Sequence, residues 1–487
     1  MVSATMGVPC CVRVGRPRRD ALTIITEKSN SLFQHTISII RQTMEKVSKE
    51  GLVRGIRQWD LIGVVINSII GAGIFVLPAK AFGLIGSYSL IAFVTCAIVV
   101  VLIILCFAEV SSRFTETGGP YRYASEAFGP AVGFQVGWMN WIARISAYAT
   151  NCNLLIVYLS FFLPPAGSGF WRAFVITAIT LSLTIINYIG VRNAAITSNV
   201  FSIAKLLPLL LFIAVGLFFL SPDNFTLGDY PGYTSFSTAV LLLIYAFTGF
   251  ENAGVPAGEI LNPRRSLPIA ILVAIAIVAV IYILIQAVSI GTLPNLGATE
   301  RPLAEAASKF MGPVGASIIA VGAITSVIGN LNVAILSTPR IPFAMSLDKA
   351  LPQVLAAVHP RFRTPHVAIV ITALLMLALT LSSSLIYALT VSTIARLLAY
   401  GATCAALPAL RRKTDAPPPL FTVPGGIVIS LIAVLLSVWL LSNSTLKEAR
   451  DSAIAAAAGL LIYFVYRLWR RKPTQPGSLA KKTGEEQ

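Results

Sequence analysis

Glu251, Lys205, Arg144 and Arg396 each stand inside an apolar run of about 20 residues, the length that crosses a bilayer core as a helix. An ionisable group at that depth must pair, carry or shed a proton, or face a wet cavity. Two roles stay open for Glu251: a coupling or gating acid that takes up a proton, or a structural partner of Arg144 or Arg396. The arginines either form ion pairs with Glu251 or other groups, or one of them reads an acidic group on a bound ligand. A midmembrane guanidinium costs at least about 2.5 to 3.5 kcal/mol on insertion scales, so both are expected to face protein and not lipid. Asn140, Asn151 and Asn153 share a run with Arg144 and either line a pathway or hydrogen-bond between helices.

Two of the apolar runs contain residues that break helices. The first holds Ile69-Ile70-Gly71-Ala72-Gly73-Ile74-Phe75 and then Pro78; the sixth holds Phe247-Thr248-Gly249-Phe250-Glu251 and then Gly254 and Pro256. Glycine weakens a helix by about 1 kcal/mol relative to alanine and proline by about 3. Non-helical backbone survives at membrane depth only where protein or a wet cavity satisfies its polar groups. Taken alone, either break could serve close helix packing. The pair recurs at the same position in successive sets of five helices, the pattern of an inverted-repeat transporter with its site at the breaks.

The elements that position these residues follow from composition. With 56% hydrophobic and 12% charged residues, the chain is too apolar for a water-soluble core. The spans run from about Asp60 to Lys80, Tyr88 to Arg113, Val132 to Phe162, Trp171 to Gly190, Ser198 to Leu220 and Ser235 to Gly258. They continue from Leu267 to Gly291, Gly312 to Ser337, Pro365 to Leu381, Leu385 to Leu410, Val423 to Leu441 and Ser452 to Trp469. The fold class is thus an all-α membrane protein of about 12 transmembrane helices. A five-plus-five core fills residues 51–410, two peripheral helices fill 411–470, and tails occupy 1–50 and 471–487.

The net charge of +17 follows topology. With both termini cytoplasmic, roughly 28 of the 37 lysines and arginines fall inside and about 6 outside. No nucleic-acid patch is needed to explain them. The lead of 50 residues lacks the apolar stretch of a cleavable signal and reads as a disordered or interfacial tail, unless the chain starts at Met44. Neither the six cysteines nor the three histidines, His35, His359 and His366, form a metal or catalytic pattern, and no ATP-binding loop is present. No cofactor, metal or catalytic residue is expected, and a channel's repeated carbonyl or charge rings are not visible.

Several short motifs occur in a specific order. They are Gly71-Ala72-Gly73-Ile74-Phe75, Phe107-Ala108-Glu109, Thr117-Gly118-Gly119-Pro120-Tyr121, Thr248-Gly249-Phe250-Glu251, Asn262-Pro263-Arg264-Arg265 and Pro339-Arg340. With this order the chain resembles the amino acid–polyamine–organocation transporters over roughly residues 51–471. The resemblance implies a permease for amino acids or related amines in the cell inner membrane, working by alternating access, proton-coupled or exchanging. A sensor of the same fold that does not transport, or an exchanger of acidic amino acids or polyamines, is the alternative. It also implies that Ala72, Gly73 and Ile74 receive the substrate carboxylate at a half-helix N-terminus, with alanine where the family has a serine. The carbonyls of Ile69, Tyr245 and Thr248 would accept from the substrate ammonium, and Tyr245 and Phe247 either close over it or simply pack. Lys205 matches a basic position that in some relatives takes the place of a sodium ion between spans 1 and 8. The heteromeric type carries a cysteine in the outer loop after span 3; residues 163–169 have none, so no disulfide-linked accessory chain is expected.

Overall fold

The computed structural model describes residues 50–71, 73–299, 301–382, 385–442 and 446–471. The basic lead with Met44, nearly all of the C-terminal tail, and Ala72 lie outside the described residues. In hydrocarbon a backbone must satisfy its own hydrogen bonds, and a helix does so within one segment. Accordingly, the described residues form helices, with one isolated bridge between Ile56 and Ile260.

The first span is split into α1 (Gln58–Ile69) and α2 (Gly73–Ile85), and α3 (Ser89–Ser111) is the second. A short helix, α4 (Pro120–Phe128), precedes the third span, α5 (Pro130–Phe162), followed by α6 (Gly169–Ile189) and α7 (Val191–Gly216). The sixth span begins as α8 (Gly232–Ala246) and ends in 3₁₀ turns at Phe250–Asn252 and Ala257–Glu259. Then come α9 (Pro263–Thr292), α10 (Pro302–Ser337), the short α11 (Arg340–Leu347), α12 (His366–Ser382), α13 (Leu385–Arg412), α14 (Gly426–Ser442) and α15 (Leu446–Arg471). Among the described residues, seven segments are long and apolar enough to cross a membrane by length and composition, and two shorter apolar helices join them. The remaining expected spans, on α1, α5 and α13, are helices whose buried residues include Asn67 and Ser68, Asn140 and Arg144, and Arg396.

The helices pair in a way that exchanges the two halves. The fifth span packs on the eighth (α7 on α10), and the tenth packs on the third (α13 on α5). Likewise α1 lies against α9, the seventh span, while α8 of the sixth lies against α3, the second. Each pairing becomes the other when spans 1–5 are swapped for spans 6–10. Because five spans separate equivalent positions, the second half enters the membrane from the opposite side, so the repeat is inverted. The outer faces of α6 and α7 expose Leu181, Ile185, Val200, Ile203 and Leu207, an apolar surface suited to lipid. α14 packs on α13 and α3, and α15 on α5 and α13, outside the core.

Candidate functional site

The break in the first span begins where Ile70 turns extended (φ −73°, ψ 92°), ending α1, and α2 restarts at Gly73. The break in the sixth begins at Phe247 and passes through Gly249, whose φ of +116° is in the left-handed region that favours glycine. The two breaks touch. Ser68 Oγ donates to the Gly249 carbonyl at 2.8 Å, and a Cβ built on Gly249 would stand 2.4 Å from the Ser68 carbonyl oxygen. Only a residue without a side chain permits that approach, so the sequence at Gly249 and the crossing of the two half-helices are one feature.

A polar cavity opens at the crossing, lined by Ser68, Ile69, Gly71 and Gly73 from the first break and by Tyr245, Thr248 and Asn252 from the sixth. Arg144, Asn151, Asn330 and Arg396 close it from α5, α10 and α13. It offers about 40 Å³ to the centres of water molecules, room for a few waters.

A hydrogen-bonded chain crosses the walls. Arg144 Nη1 donates to Ser337 Oγ at 3.2 Å, Ser337 Oγ to Asn252 Oδ1 at 3.1 Å, and Asn252 Nδ2 to Ser68 Oγ. Asn330 Nδ2 donates to the Ser68 carbonyl at 2.7 Å, which supplies a partner to backbone freed by the break. Four spans, the third, eighth, sixth and first, are thereby joined through side chains.

Lys205 is fully buried, and its ammonium donates to the carbonyls of Asn67 (3.0 Å), Ile70 (2.5 Å) and Ser326 (3.1 Å). It therefore occupies the junction of α1, α7 and α10 at the edge of the break and does not snorkel to a membrane face. Glu251 Oε2 accepts from the Gly249 N–H at 2.8 Å and from the Tyr400 hydroxyl at 2.7 Å. Arg396 Nε lies 3.8 Å from Glu251 Oε1, and Arg396 Nη1 donates to Thr248 Oγ1. Of the two arginines, Arg396 is thus the one within ion-pair distance of Glu251. Arg144 has neutral direct partners instead: Nε donates to Asn140 Oδ1 at 2.9 Å, four residues back on the same helix.

The remaining expected residues divide. Ile69, Gly73, Tyr245 and Thr248 line the cavity, but Phe247 and Ile74 are buried beside it, Phe247 with its ring 5.0 Å from that of Tyr282. Of the carbonyls, that of Ile69 accepts from the Tyr282 hydroxyl at 3.3 Å and that of Tyr245 from Thr248 Oγ1 at 2.9 Å. The Tyr245 carbonyl also accepts from the Thr248 N–H at 3.3 Å, so of the two only that of Ile69 keeps a second lone pair for a ligand.

A model of the amino acid permease family matches residues 56–465, nearly all of the described chain. The chain is 30% identical to the serine/threonine exchanger SteT of Bacillus subtilis (strain 168), over 85% of its own length and 97% of that protein. The chain belongs to the amino acid permease family. This permease is also 28% identical to the methylthioribose transporter of Bacillus subtilis (strain 168), with 87% of the chain and 96% of that transporter covered. The large neutral amino acids transporter small subunit 2 of Mus musculus is likewise 28% identical, over 92% of the chain and 88% of the relative. The permease is a multi-pass membrane protein.

Sequence reasoning missed Ser68, Asn252, Asn330, Ser337, Tyr282 and Tyr400. Tyr400 had a usable signal, because it follows Arg396 by four residues and so shares its helix face. The short motifs outside the two breaks gather away from the cavity, at one end of the permease. The Gly118 N–H donates to the Val255 carbonyl at 3.0 Å, Arg340 forms a fully buried two-point pair with Glu259 at 2.9 and 3.0 Å, and Glu109 accepts from Arg411 at 2.7 and 2.6 Å. Arg122 pairs with Asp348 at 2.8 Å, and Tyr121 donates to the same carboxylate at 2.6 Å. Burial and that donation push the Tyr121 hydroxyl well above the usual phenol range. Glu50 joins this end by accepting from the Thr117 N–H at 2.9 Å; burial pushes its carboxyl up, opposed by the Thr117 hydrogen bonds and the Arg122 charge.

Proposed function

We propose that this permease moves amino acids or related amines across the plasma membrane by alternating access, with the substrate held where the two broken helices cross. The contact of Ser68 with Gly249 beside one polar cavity carries this reading. A zwitterion brings two charges into low dielectric, and each needs fixed dipoles or loses several kcal/mol of solvation. The N–H groups of Gly73 and Ile74 at the start of α2 meet a carboxylate, and the carbonyls of Ile69 and Thr248 meet an ammonium.

Lys205 is read as a fixed cation that replaces a sodium ion. Glu251, between the Gly249 N–H, Tyr400 and Arg396, is the coupling or gating acid of a cycle that is proton-coupled or exchanging. The ion-paired end of the bundle is the cytoplasmic gate, with both termini on that side, as the lysine and arginine distribution favours. The names of the relatives, a serine/threonine exchanger and a large neutral amino acid transporter among them, agree with such a substrate.

A thermal-shift screen of the purified protein against amino acids, polyamines and methylthioribose tests the substrate class. A ligand at 100 times its Kd adds about 2.7 kcal/mol of stability. Stabilisation by one or more amino acids or amines is expected. Stabilisation by the thiosugar alone would reject the proposal.

A further inference from the structure

The cavity wall carries two guanidinium groups and, among the described residues that line it, no carboxylate. Glu251 is not among the lining residues; its Oε1 lies 3.8 Å from Arg396 Nε and its Oε2 accepts from Gly249 and Tyr400. One negative charge therefore faces two positive ones. Arg144 is the cation in excess: it is 2% exposed, its hydrogen-bond acceptors Asn140 and Ser337 are neutral, and its Nη2 is buried without a partner. Lys205 is a separate case, since three backbone carbonyls outside the cavity hold its ammonium.

A buried guanidinium with an idle N–H and no carboxylate within ion-pair distance is costly and needs an anionic acceptor. A zwitterion does not provide one, because its carboxylate and ammonium are both met at the helix breaks and its net charge is zero. A polyamine would add positive charge to a wall that is already positive. We propose that the substrate carries a second carboxylate, that it is an acidic amino acid, and that Arg144 receives its side-chain carboxylate in a charge-assisted contact. This rests on the proposed amino acid site and narrows its substrate to the aspartate and glutamate class. Arg144 then determines specificity, because a wall built to pair an anion is left with an unpaired charge when a neutral isostere enters.

The test is competition in proteoliposomes containing the full chain. Uptake of labelled L-aspartate and L-glutamate is measured against excess unlabelled aspartate, glutamate, asparagine, glutamine, serine and putrescine. The acidic amino acids are expected to compete about 10- to 100-fold better than their amides, the size of one hydrogen-bonded contact to a charge. Amides or serine competing equally or better would overturn the acidic class and leave the amino acid site standing. No binding or uptake of any amino acid would overturn the underlying site as well. In Arg144→Gln the preference is expected to shift from glutamate toward glutamine, and an unchanged preference would overturn the role of Arg144. Should that variant fail to fold, the wild-type competition alone decides the substrate class.

Discussion

Replacing Lys205 with methionine keeps the volume of the side chain and removes its charge at the junction of α1, α7 and α10. The ammonium donates three hydrogen bonds to backbone carbonyls. Hydrogen bonds to a charged group contribute about 1.5 to 3 kcal/mol each, but the ammonium's desolvation offsets much of that sum. After substitution the Ile70 carbonyl still accepts from Ser326 Oγ at 3.1 Å and the Asn67 carbonyl keeps a weak contact from Asn330 Nδ2 at 3.5 Å, so neither is stranded. The expected loss is therefore about 1.5 to 3 kcal/mol, the size of one hydrogen bond to a charged group once desolvation has offset the rest. The loss is local to the break, so transport falls further than expression. The assay pairs membrane yield and thermal midpoint with initial uptake in proteoliposomes, with external sodium present or replaced by choline. Wild-type uptake is expected to be indifferent to sodium, and Lys205→Met to be folded, less stable and slow. Unchanged uptake and unchanged midpoint would refute the reasoning.

Gly249→Ala combines a left-handed backbone with a Cβ that would stand 2.4 Å from the Ser68 carbonyl oxygen, and Gly73→Val adds bulk where even a single Cβ would stand 3.2 Å from the Ala246 Cα; both are expected to insert normally and lose uptake, measured against surface expression. Glu251→Gln keeps an acceptor for the Gly249 N–H and the Tyr400 hydroxyl but cannot titrate, so it is expected to fold and to flatten a rise in uptake between about pH 7.5 and 5.5. Loss of expression in that variant would instead mark the pair with Arg396 as structural. Because burial raises the Glu50 carboxyl, the folded chain holds that proton more tightly than the unfolded one. This contribution to stability is complete below the ordinary carboxylate value and is lost as pH rises through the raised one. The thermal midpoint of Glu50→Gln is therefore expected to gain on wild type from about pH 4 to 7, and a constant difference would count against it.

Much of the fold was legible because the bilayer imposes one period and one length on every span, and because paired glycines at Gly71-Ala72-Gly73 and Gly249 announce breaks that hydrocarbon alone would not tolerate. Glu251, Lys205, Arg144 and Arg396 were visible as charges out of place. Their partners were harder to read, since Ser337, Asn252 and Asn330 look like ordinary polar residues in helices until packing brings distant spans together. The expected pairing of Glu251 left open which arginine would take it, and that choice depends on the rotation of α5 and α13, which no local pattern encodes. Tyr245 and Phe247 are two residues apart at the end of α8, so a small change in backbone turn sends one to the cavity and the other to the core.

The most direct test of the central claim is counterflow: proteoliposomes loaded with one unlabelled amino acid are diluted into its labelled form, with Gly73→Val in parallel. Wild type is expected to accumulate label transiently, only when the inside holds a substrate, and the variant to remain at the level of empty liposomes. A protein that binds amino acids yet shows no such flux, or a variant that matches wild type, would contradict transport through the crossing of the two broken helices.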